Sequence, residues 1–361
     1  MDNTTNFYLT PNTTKRVWGV TANIYDNTIE NPTYMDYEDV SDNAGISVLH
    51  VFSMVIYSLA FLLGTTGNGL VIWFSVFRMK KTVNVMWFLN LAIADFIFTF
   101  FLPLSVVYIA LGFHWPFGRF ICKLNSTVAF LNLFASVFLL TVISIDRCIS
   151  VIFPVWCQNH RTPRLASIVV LCVWILAFIF SLPYFIFRDT FLHNGRVFCF
   201  NNFAEDEGDL FISRHRDTVI MRFIVGFAIP FSIIILCYTV LVLRIQRNHI
   251  TTSTKPFKII VAVIISFFVC WFPYHVFSFL EWSASYGADL SDVLQVGIPL
   301  TSSLAFINSC VNPFLYVFIG RDFKDKFWTS FQSIFERAFT EDSLQADLQS
   351  KSKSTSDSQL V

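Results

Sequence analysis

The chain has 361 residues, of which 55 % are hydrophobic and only 14 % charged, and its mean hydropathy is +0.59. A soluble domain carries roughly 25 % charge, so a water-soluble globule and a wholly disordered chain are both excluded. Lys+Arg 25 and Asp+Glu 25 cancel, which leaves no net basic field for nucleic acid, and a lipid bilayer is the expected surroundings.

Residues 1–46 are polar and acidic and lack the short apolar core of a secretory signal near Met1. The first span is therefore expected to serve as its own insertion signal. Asn3-Thr4-Thr5 and Asn12-Thr13-Thr14 are N-glycosylation acceptors, which have meaning only on a lumenal segment. Seven apolar stretches then follow at 47–77, 84–111, 120–152, 165–187, 218–243, 257–282 and 293–319. Each is long enough to cross about 30 Å of hydrocarbon as a helix. A further sequon, Asn125-Ser126-Thr127, falls inside the third span, where a glycan does not fit, and is read as chance.

Lysine and arginine choose the orientation. Arg78, Lys80 and Lys81 follow span 1, Arg147, Arg161 and Arg164 follow span 3, Arg244, Arg247, Lys255 and Lys258 follow span 5, and Arg321, Lys324 and Lys326 follow span 7. Those segments are expected in the cytoplasm, which puts the N-terminus outside. Past span 7, Phe323, Phe327, Phe331, Ile334 and Phe335 share one helical face. This predicts an amphipathic helix on the inner leaflet over 320–339. Residues 340–361 are rich in serine and are expected to be a disordered cytoplasmic tail. The fold class is thus an all-α membrane protein: a seven-transmembrane helix bundle with a C-terminal surface helix.

Ionisable groups within a span are costly and usually functional. Asp95 sits mid-span 2, with Asn132 and Ser136 (span 3) and Asn308, Ser309 and Asn312 (span 7) at comparable depth. A carboxylate among amide and hydroxyl oxygens suits a hard cation such as sodium. The same set also fits a hydrated network around a protonated Asp95. Asp146-Arg147 closes span 3 at the cytoplasmic edge, where the carboxylate is placed to hold the guanidinium until a competitor arrives. Trp271 precedes Pro273 by two residues and Tyr316 follows Pro313 by three, so bulky rings lie beside expected hinges. The eight cysteines contain no Cys-x-x-Cys, which argues against zinc. There is also no His-Glu-x-x-His and no pair of aspartates in adjacent spans, the sets an intramembrane enzyme needs. No repeat relates the two halves, as a transporter would show.

Taken together, Gly67-Asn68, Leu91-Ala92-Ile93-Ala94-Asp95, Cys122, Asp146-Arg147-Cys148, Trp174, Pro230 with Tyr238, Cys270-Trp271-Phe272-Pro273 and Asn312-Pro313-Phe314-Leu315-Tyr316 resemble the rhodopsin-like G-protein-coupled receptors. Cys148 stands where most of that family has tyrosine. His114-Trp115-Pro116-Phe117-Gly118 and the segment 154–162 resemble chemoattractant receptors for formyl peptides and chemerin. Phe187-Arg188-Asp189-Thr190 and Cys199-Phe200-Asn201-Asn202-Phe203 are closer to the chemerin receptors.

The resemblance implies a disulfide between Cys122 and Cys199 and a ligand pocket opening outward between spans 3, 5, 6 and 7. Arg222, Arg188, Glu281, Tyr274 and Ser302 are expected at the pocket. A lone Arg222 in an apolar bowl suits a peptide C-terminal carboxylate or an acidic lipid, and snorkelling or pairing with Glu281 are its other outlets. Cys172, Cys237, Cys270 and Cys310 are expected to pack as small apolar residues. Tyr34 and Tyr37, among Asp36, Glu38 and Asp39, resemble sulfotyrosine sites. The implied function is chemoattractant signalling at the plasma membrane through a Gi-class G protein, with receptor kinases and arrestin acting on the tail. Asp146, Arg147, Tyr238, Trp271, Pro273, Asn312, Pro313 and Tyr316 form the implied activation switch. A non-signalling scavenger of the same fold and a formyl-peptide receptor are the alternatives. Ala129 and Phe130 stand where formyl-peptide recognition uses an acid.

Overall fold

The structure is a computed structural model that describes residues 48–203, 208–248, 254–284, 286 and 290–319. Asn3, Asn12, Tyr34, Tyr37, the surface helix at 320–339 and the tail at 340–361 lie outside the described residues, as does the side chain of Tyr316. The elements are α1 (Val48–Phe77), α2 (Val83–Ala110), α3 (Gly118–Ile152), a short α4 (Pro154–His160), α5 (Pro163–Ile186), β1 (Arg188–His193), β2 (Arg196–Asn201), α6 (Gly208–Phe223), α7 (Ile229–Asn248), α8 (Thr254–Ala284) and α9 (Ser291–Ile319). A π-helical turn at Ile224–Ala228 joins α6 to α7. Among the described residues, seven helical segments are long and apolar enough to cross a membrane.

Local chemistry sets several of the helix ends. Thr82 and Thr162 each cap a helix by accepting from the backbone N–H three residues on, Val85 for α2 and Leu165 for α5, both at 3.3 Å. Pro163 follows Thr162 in the first turn, where its missing N–H costs nothing. Pro230 also lacks an N–H, and the widened turn directly precedes it. The fifth span begins earlier than expected, at Leu210 rather than 218. Arg214, His215, Arg216 and Asp217 interrupt the apolar run but not the helix. Arg214 Nη1 donates to the Phe203 carbonyl at 2.7 Å, and its guanidinium lies over the Phe187 ring. Apolarity marks where hydrocarbon begins; the helix continues past it.

α3 is the axis of the bundle. In its most apolar window 61 % of the residues are buried, against 22 % for α1 and α5. Leu133, Val137, Leu140 and Ile143 of α3 pack into one core with Trp87, Leu91, Ile260 and Phe267. Outward-facing Leu62, Phe100, Leu171, Phe178, Leu236 and Val269 are exposed, as lipid-facing positions are. Cys270 and Cys310 are buried, whereas Cys172 is exposed on the outer face of α5 rather than packed inside.

β1 and β2 form an antiparallel hairpin with His193 opposite Arg196 and Thr190 opposite Cys199. Its two-residue turn is Asn194-Gly195, with φ of 47° and 74°. Both residues are left-handed, which is what a right-twisted hairpin requires and what Asn-Gly tolerates. Cys199 is joined to Cys122 at the head of α3 by a disulfide, so the hairpin is tied across the outer end of the bundle.

Candidate functional site

A cavity of about 220 Å³ opens beneath the hairpin. Its walls come from α1, α2, α3, α8, α9 and the hairpin, so it lies toward spans 1, 2 and 7 rather than span 5. The floor is apolar and aromatic, made by Phe98, Leu102, Phe306 and Trp271; Arg188, Tyr274, Ser302 and Asn201 supply polar groups above it. Helix α6 contributes nothing to the lining among the described residues. Sequence patterns report which stretches are apolar, not which faces diverge, so the part that α1 and α2 play in lining this cavity beside spans 3, 6 and 7 is not visible in them.

The expected pocket residues separate accordingly. Arg188, Tyr274 and Ser302 reach the cavity; Arg222 and Glu281 do not line it. Arg188 is held in place from the hairpin itself: Nη1 donates to Asn201 Oδ1 at 3.0 Å and Nε to Cys199 Sγ at 3.3 Å. Burial pulls its guanidinium down to about 10, against the opposing influence of Tyr108, Tyr274 and Glu281, so it stays charged at neutral pH. The neighbouring Asp189 is pushed up by burial. The hydrogen bond from Arg119 and that from the Thr190 N–H outweigh this and hold it below the usual carboxylate range. That pair, with Arg119 Nε 2.7 Å from Asp189 Oδ1, fixes the first strand of the hairpin to α3.

Arg222 sits one layer behind the wall. It is 2 % exposed and is sandwiched between Phe130 and Tyr274, with ring centroids 5.3 and 5.0 Å from the guanidinium carbon. Nη1 donates to the Tyr274 hydroxyl at 3.2 Å. Nε and Nη2 make no well-formed hydrogen bond, although the Tyr184 hydroxyl lies near and Glu281 is within electrostatic range. Tyr274 and Phe130 face the cavity on one side and the buried cation on the other.

Below the cavity floor, Trp271 packs edge-on to Tyr274 at 5.7 Å and against Phe267 at 6.1 Å. Deeper still, Asp95 accepts from Asn132 Nδ2 at 2.9 Å and from Asn312 Nδ2 at 2.7 Å. Ser309 donates to Asn132 Oδ1 at 3.3 Å. The hydroxyl of Ser136 and the Oδ1 atoms of Asn308 and Asn312 are buried without hydrogen bonds among the described residues. Amide donors occupy both Asp95 oxygens, so this is a hydrogen-bond network as it stands. Each Asp95 oxygen keeps a lone pair beyond its one amide donor, and together with the unpartnered oxygens of Ser136, Asn308 and Asn312 it makes a donor set that fits a sodium ion.

At the end of the bundle opposite the hairpin, Asp146 is not chiefly the partner of Arg147, whose Nε is 3.9 Å from Oδ2. Arg161 takes both carboxylate oxygens in a fork, Nε to Oδ1 at 2.7 Å and Nη2 to Oδ2 at 2.9 Å. Arg147 donates instead to Asn84 Oδ1 in α2. Tyr238 lies close to Arg147 and Ser144. In the sequence Arg161 is one of several basic residues after span 3, and nothing there marks Asn84. Their convergence depends on how α4 turns the chain, which the sequence does not display.

Residues 67–316 match the model of the 7 transmembrane receptor (rhodopsin family). The human chemerin-like receptor 1 is 46 % identical over 329 residues, 87 % of this chain and 87 % of that relative. The rat chemerin-like receptor 2 is 46 % identical over 308 residues, 85 % of this chain and 87 % of its own length. Chemerin-like receptor 1 of Mus musculus is 47 % identical over 321 residues, covering 86 % and 85 %.

Proposed function

The chain belongs to the rhodopsin family of seven-transmembrane receptors, and from that premise we propose that it is a chemoattractant receptor for the carboxylate end of an extracellular peptide or protein. Its relatives are named for chemerin, and a chemerin-like C-terminus is the favoured ligand, with an acidic lipid as the other carboxylate source. The N-terminus lies outside the plasma membrane, and the inner face couples to a Gi-class G protein and, after phosphorylation of the serine-rich tail, to arrestin. The observation that carries the ligand class is Arg188, the one arginine or lysine lining the cavity among the described residues. Its fork stands above an aromatic floor, so a terminal carboxylate and an adjacent apolar side chain are satisfied together. Binding energy at Trp271 and Tyr274 then favours the arrangement in which α8 swings about Pro273.

One nucleotide-exchange assay on purified Gi, run with chemerin-like C-terminal peptides, formyl peptides and an acidic lipid, tests this. The free-acid peptide is expected to drive exchange and its C-terminal amide to be weaker by thirtyfold or more, about 2 kcal/mol. In the Arg188→Ala receptor the two are expected to become nearly equal. A full amidation penalty in Arg188→Ala would move the carboxylate elsewhere, with Arg222 behind Tyr274 as its next recipient. Binding without exchange would mark the chain as a scavenger.

A further inference from the structure

At the inner end of the bundle two arginines compete for one carboxylate and one amide. Asp146 and Arg147 lie in the last two turns of α3, Asn84 is in the first turn of α2, and Arg161 stands in the two-residue joint between α4 and α5. That joint is fixed on both sides: the Arg161 N–H closes α4 on the Cys157 carbonyl at 3.0 Å, and Thr162 caps α5. The Arg161 side chain is thereby aimed at the bundle. Its fork engages both Asp146 oxygens, and Nη2 also reaches Asn84 Oδ1 at 2.6 Å. Arg147 shares that Asn84 oxygen. Its Nε is buried with no hydrogen bond, 3.9 Å from the carboxylate that Arg161 occupies.

We propose that Arg161 and Asn84 are positioning residues that set how firmly Arg147 is restrained: Arg161 by keeping the Asp146 carboxylate engaged, Asn84 by holding the Arg147 guanidinium toward α2. A bidentate guanidinium–carboxylate contact is stronger than a single long one, so while the fork stands the carboxylate has little left for Arg147. Remove Arg161 and both oxygens are vacated, with an acceptor-starved Arg147 Nε within a small rotation of one of them. Arg147 becomes more tightly held, not less. Asn84→Ala acts in the opposite direction, because it deletes the acceptor that Arg147 now uses.

This rests on the reading of the chain as a G-protein-coupling receptor, and the test separates the two. Ligand-free nucleotide exchange on purified Gi and hydrogen exchange of the amides at the inner end of α8 are measured on the same purified receptors. Asn84→Ala is expected to raise basal exchange about fivefold, the lower end of ordinary coupling between sites. In that background Arg161→Ala is expected to lower it by about fivefold, and Arg161→Lys, which keeps the charge without the fork, to fall between. With Asp146→Asn also present, Arg161→Ala is expected to change nothing, since there is no carboxylate to release. The α8 amides should follow the same order. A rise with Arg161→Ala, or an equal fall with and without Asp146, would overturn the proposal; the second result would mean that Arg161 touches the G protein directly. If Arg161→Ala does not fold, Arg161→Lys carries the same cycle. If no receptor stimulates Gi, the coupling reading fails, and the order of α8 protection still decides the clamp.

Discussion

A guanidinium that is 2 % exposed and makes one hydrogen bond is a costly group to keep inside a membrane bundle. Two ring faces offset part of that cost, since a desolvated cation–π contact contributes about 2 kcal/mol. The Tyr274 hydroxyl supplies the remaining contact. Tyr274→Phe keeps the ring and deletes the acceptor, so it is expected to cost about 1–3 kcal/mol and lower the thermal midpoint of the purified receptor. Arg222→Met fills similar volume without a charge and is expected to leave the midpoint unchanged or raise it. That order would mean that Arg222 is retained for the ligand and not for the fold. The reverse order, Met destabilising and Phe neutral, would make the guanidinium a structural staple. Arg222 was legible in the sequence as an unusual cation in a span; its place behind Phe130 and Tyr274, and not at the cavity surface, was not.

Among the elements, α8 and α9 meet most closely where Gly297 faces Phe277. A Cβ built on Gly297 would lie 1.6 Å from the Phe277 ring, so either the ring swings away or a helix shifts. Gly297→Ala is expected to destabilise by about 1–3 kcal/mol through overpacking, and Gly297→Ala with Phe277→Leu to recover much of it, both read by thermal unfolding. A null effect would mean that the Phe277 ring turns aside and that neither helix backbone needs to move. The disulfide acts at a second junction. It closes a separation of 77 residues, which chain entropy values at about 4 kcal/mol, and it also anchors the strand that carries Arg188. Cys122→Ser with Cys199→Ser is therefore expected to weaken a free-carboxylate peptide more than its amide. The seven spans were readable from apolar length because a bilayer demands that length. The hairpin was not, since six-residue strands carry no such demand, although Asn194-Gly195 is the signal that would have found its turn. The inner clamp escaped for a related reason: Asp146 and Arg147 are adjacent in sequence, and adjacency suggested a pairing that Arg161, fifteen residues on, takes over.

Across the whole molecule, zero net charge conceals an uneven distribution along the sequence. Residues 1–46 hold Asp2, Asp26, Glu30, Asp36, Glu38, Asp39 and Asp42 against Lys15 and Arg16. The described end of the bundle near the cavity is mixed by contrast, with Arg188, Arg196 and Lys123 alongside Glu281 and Asp292, and with Arg119 and Arg216 paired to Asp189 and Asp217. On the proposed reading, a basic protein ligand would meet the acidic tail first and its carboxylate end would then be drawn to Arg188. Sulfation of Tyr34 and Tyr37 would deepen the first field without touching the second. Fields of this kind act mainly on the rate of encounter, and salt screens them over about 8 Å at physiological ionic strength. Tyr34→Phe with Tyr37→Phe is therefore expected to slow association of a large basic protein ligand, such as full-length chemerin, severalfold, with dissociation nearly unchanged. The difference should shrink as salt is raised. A short C-terminal peptide that reaches only the cavity should bind both receptors alike. Surface plasmon resonance on receptors in nanodiscs measures all of these rates. Equal losses for protein and peptide would show that the tyrosines act on the cavity, and a loss confined to dissociation would replace steering with a bound contact.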